Sequence, residues 1–326
     1  MKCMSFFVAV VSVVFLSALL PSCTRIDVPL GRNDLEHIVD QYLEALIARD
    51  PGQAPLSPTV RYTENGQYLP VGDGLWNTAN ARGSYSLYVA DTVTNQIGFF
   101  GTIRENGTPA ILGLRLKVVN RMISEIETFA VRSDSGALLL EALDGPNPVF
   151  LKKIPLSDRV SRDSLVVTAN KYFTGLQGDD GYGDYPFTDD CNRLENGKLT
   201  TNNPTGKDMP FDIQALGPKA QFESGFFRFV TRIRDRRLVV VDEERGLVFA
   251  FAFFDHAGNI PEVTLTNGMK IPIGVSRPWT WEIAELFKVE HGQLRQIEAL
   301  YQEAPYGMNS GWSTTAKGLS TDIQYK

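Results

Sequence analysis

Apolar residues recur at helical spacing in two places. Leu35, Ile38, Val39, Tyr42, Leu43, Leu46 and Ile47 form one stripe, which predicts a helix capped by Asn33 or Asp34 and stopped at Pro51-Gly52. Leu165, Val166, Ala169, Tyr172, Phe173 and Leu176 form the other, with Ser161 or Asp163 as starting cap and Gly178 as stop. After each stripe the pattern changes to β-rich runs. These are 98–103, 110–119 and 123–131 after the first stripe, and 237–242, 247–254, 279–289 and 294–301 after the second. Turn dipeptides such as Asn106-Gly107 and His291-Gly292 separate runs rich in Val, Ile, Phe and Trp. Helices followed by antiparallel strands with short turns give an α+β fold class.

The two stripes belong to a longer repetition. The segment from Asp40 to Asp50 lies over that from Asn170 to Asp180, and Arg61-Tyr62-Thr63-Glu64-Asn65-Gly66 lies over Asn192-Arg193-Leu194-Glu195-Asn196-Gly197. Further on, the run ending at Glu105-Asn106-Gly107 answers the run ending at His256-Ala257-Gly258. Lys117 with Ile126-Glu127 then matches Lys288 with Ile297-Glu298. Four matches in one order predict two copies of one domain. The resulting division is 1–22 signal peptide, 33–132 first domain, 133–160 linker or connecting strand region, 161–305 second domain and 306–326 C-terminal tail.

A helix, a variable segment and then a curved antiparallel sheet resembles the cone-shaped NTF2-like fold, including its SnoaL-like branch. Ser161-Arg162-Asp163, Tyr172-Phe173 and the segment 191–197, with Tyr62-Thr63-Glu64-Asn65, resemble a family of secreted proteins common in fungi, built from tandem NTF2-like halves and classed as a domain of unknown function. The resemblance implies two tandem cones, each an N-terminal helix packed on a curved sheet. It implies export and carries no established activity.

Composition and charge narrow the surroundings. With 43% hydrophobic residues, 21% charged residues and a formal charge of −6, the chain can fill a core and carries no basic excess for nucleic acid. Lys2, an uncharged run over 6–20 and Ser22 describe a secretory signal. Leu20-Pro21-Ser22-Cys23 resembles a bacterial lipobox, which would make Cys23 a lipid-modified residue holding the protein at a membrane surface in the cell envelope. Plain secretion is the other reading. Cys191 then reads as a small buried hydrophobe rather than a nucleophile.

Candidate chemistry rests on few residues. Glu64 and Glu195 precede the repeated Asn-Gly pairs, and a carboxylate in a dry pocket acts as general acid or base. Solvated flanks of tight turns are the plain alternative. Tyr62, Trp76 and Tyr85 could line a first pocket. Alternation puts Trp279, Trp281, Ile283, Glu285 and Phe287 on one strand face, where Glu285 among apolar neighbours needs a partner such as Arg193. Asp255-His256 invites a dyad, although adjacent strand residues face opposite ways. The acidic, glycine-rich stretch 178–190 lacks calcium-loop spacing and reads as a loop over the pocket. No metal motif, phosphate loop or nucleotide fingerprint is present, so no cofactor is expected. Two functions follow. One is a cofactor-independent isomerase or lyase on a small apolar or aromatic molecule, using Glu64, Glu195, Arg193 and His256 for catalysis and Tyr62, Trp76, Tyr85, Trp281 and Glu285 for binding. The other is a non-catalytic ligand-binding or envelope-scaffold lipoprotein.

Overall fold

A computed structural model describes residues 30–207, 209–274 and 276–325; the expected signal peptide and Cys23 lie outside the described residues. The first stripe forms α1 (Arg32–Ala48), burying Leu35, Ile38, Val39, Tyr42, Leu43 and Leu46. Its cap is Gly31 rather than Asn33 or Asp34. The Asp34 carboxylate instead reaches back to accept the Gly31 N–H at 3.0 Å. Strands β1 (Leu56–Glu64), β2 (Gln67–Tyr68), β3 (Ala79–Asp91), β4 (Gln96–Glu105), β5 (Thr108–Val119) and β6 (Met122–Val131) follow. Tyr85 lies on β3, a strand outside the β-rich runs named from the sequence. Asn80, Arg82, Ser84 and Ser86 alternate with Ala79, Ala81, Gly83 and Tyr85, so β3 is written in the sequence as period-two alternation rather than as an apolar run.

The connection 133–160, expected as a linker or connecting strand, contains the helices α2 (Asp134–Glu141) and α3 (Pro148–Leu151) and no strand among its residues. Ser133 caps α2 by accepting the Gly136 N–H at 3.2 Å, and Ala137 to Leu140 are strong helix formers. The second copy opens with α4 (Arg162–Leu176), capped by Ser161 as its sequence suggests. It continues through β7 (Phe187–Glu195), β8 (Lys198–Leu199), α5 (Pro218–Glu223), β9 (Arg232–Asp242) and β10 (Leu247–His256). The hairpin β11 (Glu262–Thr264) and β12 (Lys270–Pro272) precedes β13 (Trp279–Glu290) and β14 (Gln293–Ala304), and the tail adds α6 (Thr315–Leu319) and β15 (Ile323–Gln324).

The first sheet runs β2-β1-β6-β5-β4-β3, and the second runs β8-β7-β14-β13-β10-β9 with β15 outside β9. The two orders are the same. Each sheet has a parallel pair at the equivalent place, β1 with β6 and β7 with β14, and the second adds β15 parallel to β9, a departure from the expected all-antiparallel arrangement. Register agrees as well: Tyr62 faces Ile126 where Arg193 faces Ile297. The sequence matches therefore mark equivalent places in two sheets, consistent with a duplicated domain.

Period-two alternation gives each sheet two apolar faces. One face of the first sheet packs on α1 and one face of the second on α4. Their other faces meet in a third core containing Phe100, Phe129, Phe249, Leu286 and Leu300. Phe100 and Phe249 cross edge to face at 5.0 Å. Gly98 makes room for this contact, because a Cβ there would come within 2.4 Å of the Phe249 ring. Polar bridges add direction. Arg237 grips Glu127 with two bonds of 2.6 and 2.9 Å, and Arg32 meets Asp242 at 2.8 Å. Among the described residues no helix is long and apolar enough to cross a membrane.

Candidate functional site

The site lies on the face of the second sheet that α4 covers. Across four strands one row reads Glu195, Ala299, Glu285, Ala250. Strand spacing of about 4.8 Å puts the Cα atoms of the two glutamates roughly 10 Å apart, with a methyl group between them. The same period puts Arg193 on the face of Glu195, and Trp281 and Ile283 on that of Glu285. Tyr172 and Leu176 descend from α4, while Phe226, Phe227 and Phe229 come from the loop before β9. Together they enclose a cavity of about 170 Å³. A cavity of about 150 Å³ holds benzene, so this one has room for a single ring.

Four polar groups converge there. Arg193 is buried; its Nε pairs with the Glu195 carboxylate at 2.8 Å, Nη2 donates to Gln221 at 2.9 Å and Nη1 to the Tyr172 hydroxyl at 3.4 Å. Burial works against the guanidinium charge, but Glu195, Tyr172 and Glu285 outweigh it and the pKa is raised. Glu285 is 1% exposed, and burial pushes its pKa to about 8 against the pull of Arg193. Burial therefore favours its neutral, protonated form. Its Oε2 has no hydrogen-bond partner among the described residues. Burial also keeps the Tyr172 hydroxyl protonated, its pKa raised far above the usual phenol value. The arrangement offers an ion-paired carboxylate on one side of the cavity and a carboxylic acid on the other.

Other expected site residues do not join it. Tyr62, Trp76 and Tyr85 are each 1% exposed and belong to cores, not to an open pocket. Trp76 packs edge to face on Tyr42 at 5.4 Å. Glu64 is held by the Tyr62 hydroxyl at 2.9 Å, the Leu75 N–H at 2.6 Å and Arg132 at 2.9 Å, which leaves it a structural anchor. Tyr85 faces the other sheet and donates to Glu298 at 2.6 Å. The Asp255-His256 dyad does not form. Asp255 binds Arg232, Arg234 and Thr280, whereas His256 lies flat on Trp279 with ring centroids 3.5 Å apart. His256 pairs with Trp279, six residues along β13 from Glu285, so it stands roughly 20 Å from the acid at about 3.3 Å per residue. Burial lowers its pKa to about 4, leaving a neutral ring.

Cys191 is buried and its thiol is pushed up to about 12 by burial, which makes it unreactive. In the acidic loop, Asp179 accepts from the Tyr185 hydroxyl at 2.8 Å and the Gly181 N–H at 3.0 Å. Among the described residues no group of His, Cys, Asp and Glu could hold a metal ion. The loop-borne wall was missed in the sequence, although Phe226-Phe227-Arg228-Phe229 is an aromatic run outside any long strand. Ala250 and Ala299 gave no signal, since two alanines become a cavity floor only once strand register is known.

Residues 158–301 match a family described as a domain of unknown function (DUF8021). That stretch contains every polar group of the cavity. No curated protein sequence matches the chain. Among solved structures, the crystal structure of a de novo designed protein with curved beta-sheet is similar at 16% identity, over 44% of this chain and 88% of that one, with a TM-score of 0.23.

Proposed function

We propose that each half is an NTF2-like cone and that the second is a cofactor-independent isomerase or lyase for a small, single-ring, apolar or aromatic molecule with a carbonyl. The observation that carries this reading is the row Glu195–Ala299–Glu285, one carboxyl paired with Arg193 and one fully buried, facing one ring-sized space. Separating the pKa values of two carboxyls is how a site assigns base and acid. In this mechanism the Glu195 carboxylate takes a proton from carbon next to the carbonyl. The Glu285 acid, with Tyr172 and Arg193, donates hydrogen bonds to the enolate oxygen. Glu195 then returns the proton to a different carbon, so no atom is gained or lost. Arg193 also positions Glu195.

A direct test uses 3-cyclohexenone and follows its conversion to the conjugated 2-cyclohexenone by ultraviolet absorbance. Glu195→Gln should slow turnover by about 10²–10⁴-fold, the usual contribution of a general base. Equal turnover in that variant removes Glu195 from the mechanism. The filled first half favours the second reading, a non-catalytic ligand-binding or envelope-scaffold lipoprotein. That reading prevails if single-ring ketones raise the Tm of the wild type but none is turned over. In either case we place the chain outside the cytoplasm, with Cys23 as the membrane tether; acyl labelling that persists in Cys23→Ser would refute the tether.

A further inference from the structure

A second concavity, unrelated to Glu285, opens where β1, β5 and β6 of the first half meet β9 of the second beneath the C-terminal segment. Its volume is about 630 Å³, roughly four times that of a benzene-sized cavity. Arg61, Arg115, Lys117, Arg237 and Lys317 line it against only Glu125 and Asp322. A cationic groove is unexpected on a chain of charge −6.

Its floor is rigid. Arg115 and Arg237 are 3% and 6% exposed, and both are held by Glu127, at 3.0 Å from Arg115 Nε and 2.6 Å from Arg237 Nη2. Glu125 adds a second carboxylate to Arg115 at 2.8 Å and Asp235 stands 3.5 Å from Arg237 Nε, so the floor is charge-compensated and the cations left over are those of the rim. The rim is looser. Arg61 and Lys317 are exposed and have no carboxylate in ion-pair contact among the described residues, and Lys117 meets Glu125 only at 3.6 Å. Trp312 stands between these parts. Its indole N–H donates to Thr63 at 2.8 Å, and the guanidinium groups of Arg61 and Arg115 lie 4.4 and 4.7 Å from the ring centroid. Arg61 also donates to the Gly311 carbonyl. Ser313, Thr314, Ser320 and Gln324 add hydroxyl and amide groups.

Exposed cations at the rim, a half-buried indole and many hydroxyl partners suit a ligand with several rings, several hydroxyls and regularly placed negative charge. We infer that the groove between the two halves binds a carboxylated oligosaccharide, its acid groups on Arg61, Lys117 and Lys317 and its rings along Trp312. The whole C-terminal segment takes part, because α6 and β15 form one wall.

Isothermal titration of the exported chain with trigalacturonate, neutral galactotriose and inorganic phosphate decides the matter. Trigalacturonate alone should bind, and more weakly as salt rises, since exposed charges are screened beyond about 8–10 Å at 0.1–0.15 M. The double variant Arg61→Gln, Lys317→Gln should bind at least about tenfold more weakly while still unfolding in one cooperative transition, and Lys317→Gln alone, which removes only an exposed charge, should weaken binding with an unchanged Tm. Glu285→Gln should bind as the wild type does, which separates this site from the proposed catalytic one. Equal binding of galactotriose, binding of phosphate in place of the sugar, unaltered affinity in the double variant, loss of binding in Glu285→Gln, or no binding of trigalacturonate would each overturn the assignment.

Discussion

The two halves have the same strand order and have treated the space under their helices in opposite ways. In the first, the row equivalent to the site reads Glu64, Thr128, Leu114, Phe99; in the second it reads Glu195, Ala299, Glu285, Ala250. Alanines stand where the first half has a threonine and a phenylalanine, and an acid stands where it has a leucine. The connections differ as well. Residues 69–78 join β2 to β3 and bring Trp76 into the core, whereas 200–231 join β8 to β9 and stand Phe226, Phe227 and Phe229 around a space they do not fill. A shared fold thus sets where a cavity can form, and side-chain volume in one row decides whether it does.

Trp76→Ala should make the sharpest break, destabilising the chain by about 3–5 kcal/mol through the cavity it leaves. Trp281→Ala should cost clearly less, because Trp281 already borders empty space. Urea unfolding of both variants measures the difference. Equal losses would mean that the second half is as tightly filled as the first.

Which parts of this contrast could be read beforehand follows from what each signal depends on. The helical stripes, the central strands and the repeat depend on local periodicity, and α1, α4, β4–β6, β10, β13 and β14 appear where the pattern puts them. Strand β3 carries local alternation without an apolar run, whereas the parallel pairings depend on contacts between distant residues. So does the site. Glu285 stands out in the sequence as a lone acid on an apolar face, yet its neighbour across Ala299 is fixed by two registers that no local pattern carries. Glu64 and Glu195 look alike in sequence, but the Leu75 N–H and Arg132 tie down only the first.

Making the second half resemble the first sharpens the comparison next. Glu285→Leu introduces the residue that Leu114 supplies in the equivalent position. It should abolish ring binding and raise stability by about 1–3 kcal/mol, because Glu285 Oε2 is buried without a partner. A loss of stability of that size would show that the acid is held by contacts stronger than those described. The acid also predicts a pH dependence. Its folded pKa of about 8 lies above the ordinary value of 4.5, so the folded state binds the extra proton. The associated stability is complete below about pH 4.5 and is lost as pH rises through 8. The Tm of the wild type minus that of Glu285→Gln should therefore fall across this window. His256 works in the opposite direction: with its pKa lowered to about 4 from 6.5, its contribution is present above pH 6.5 and is lost as pH falls toward 4. It cancels in the difference between these two proteins. A flat difference would mean that Glu285 is not buried as a neutral acid.

The smallest effect concerns what the halves still have in common. Asn65 and Asn196 both take positive φ, 46° and 47°, at the start of an Asn-Gly turn. Each side chain extends the parallel pairing by one more step: Asn65 accepts from the Ala130 N–H at 2.8 Å and donates to its carbonyl at 3.2 Å, and Asn196 does the same with Tyr301 at 3.0 and 2.9 Å. The asparagine, not the preceding glutamate, is thus the element with the same task in both copies. Asn65→Ala and Asn196→Ala should each cost about 1–2 kcal/mol, from lost hydrogen bonds and a left-handed conformation that alanine disfavours. Denaturant midpoints should move by similar amounts in the two variants. If only one moves, the turns have diverged along with the cavities, and the division between retained framework and altered row fails at the position where the sequences are most alike.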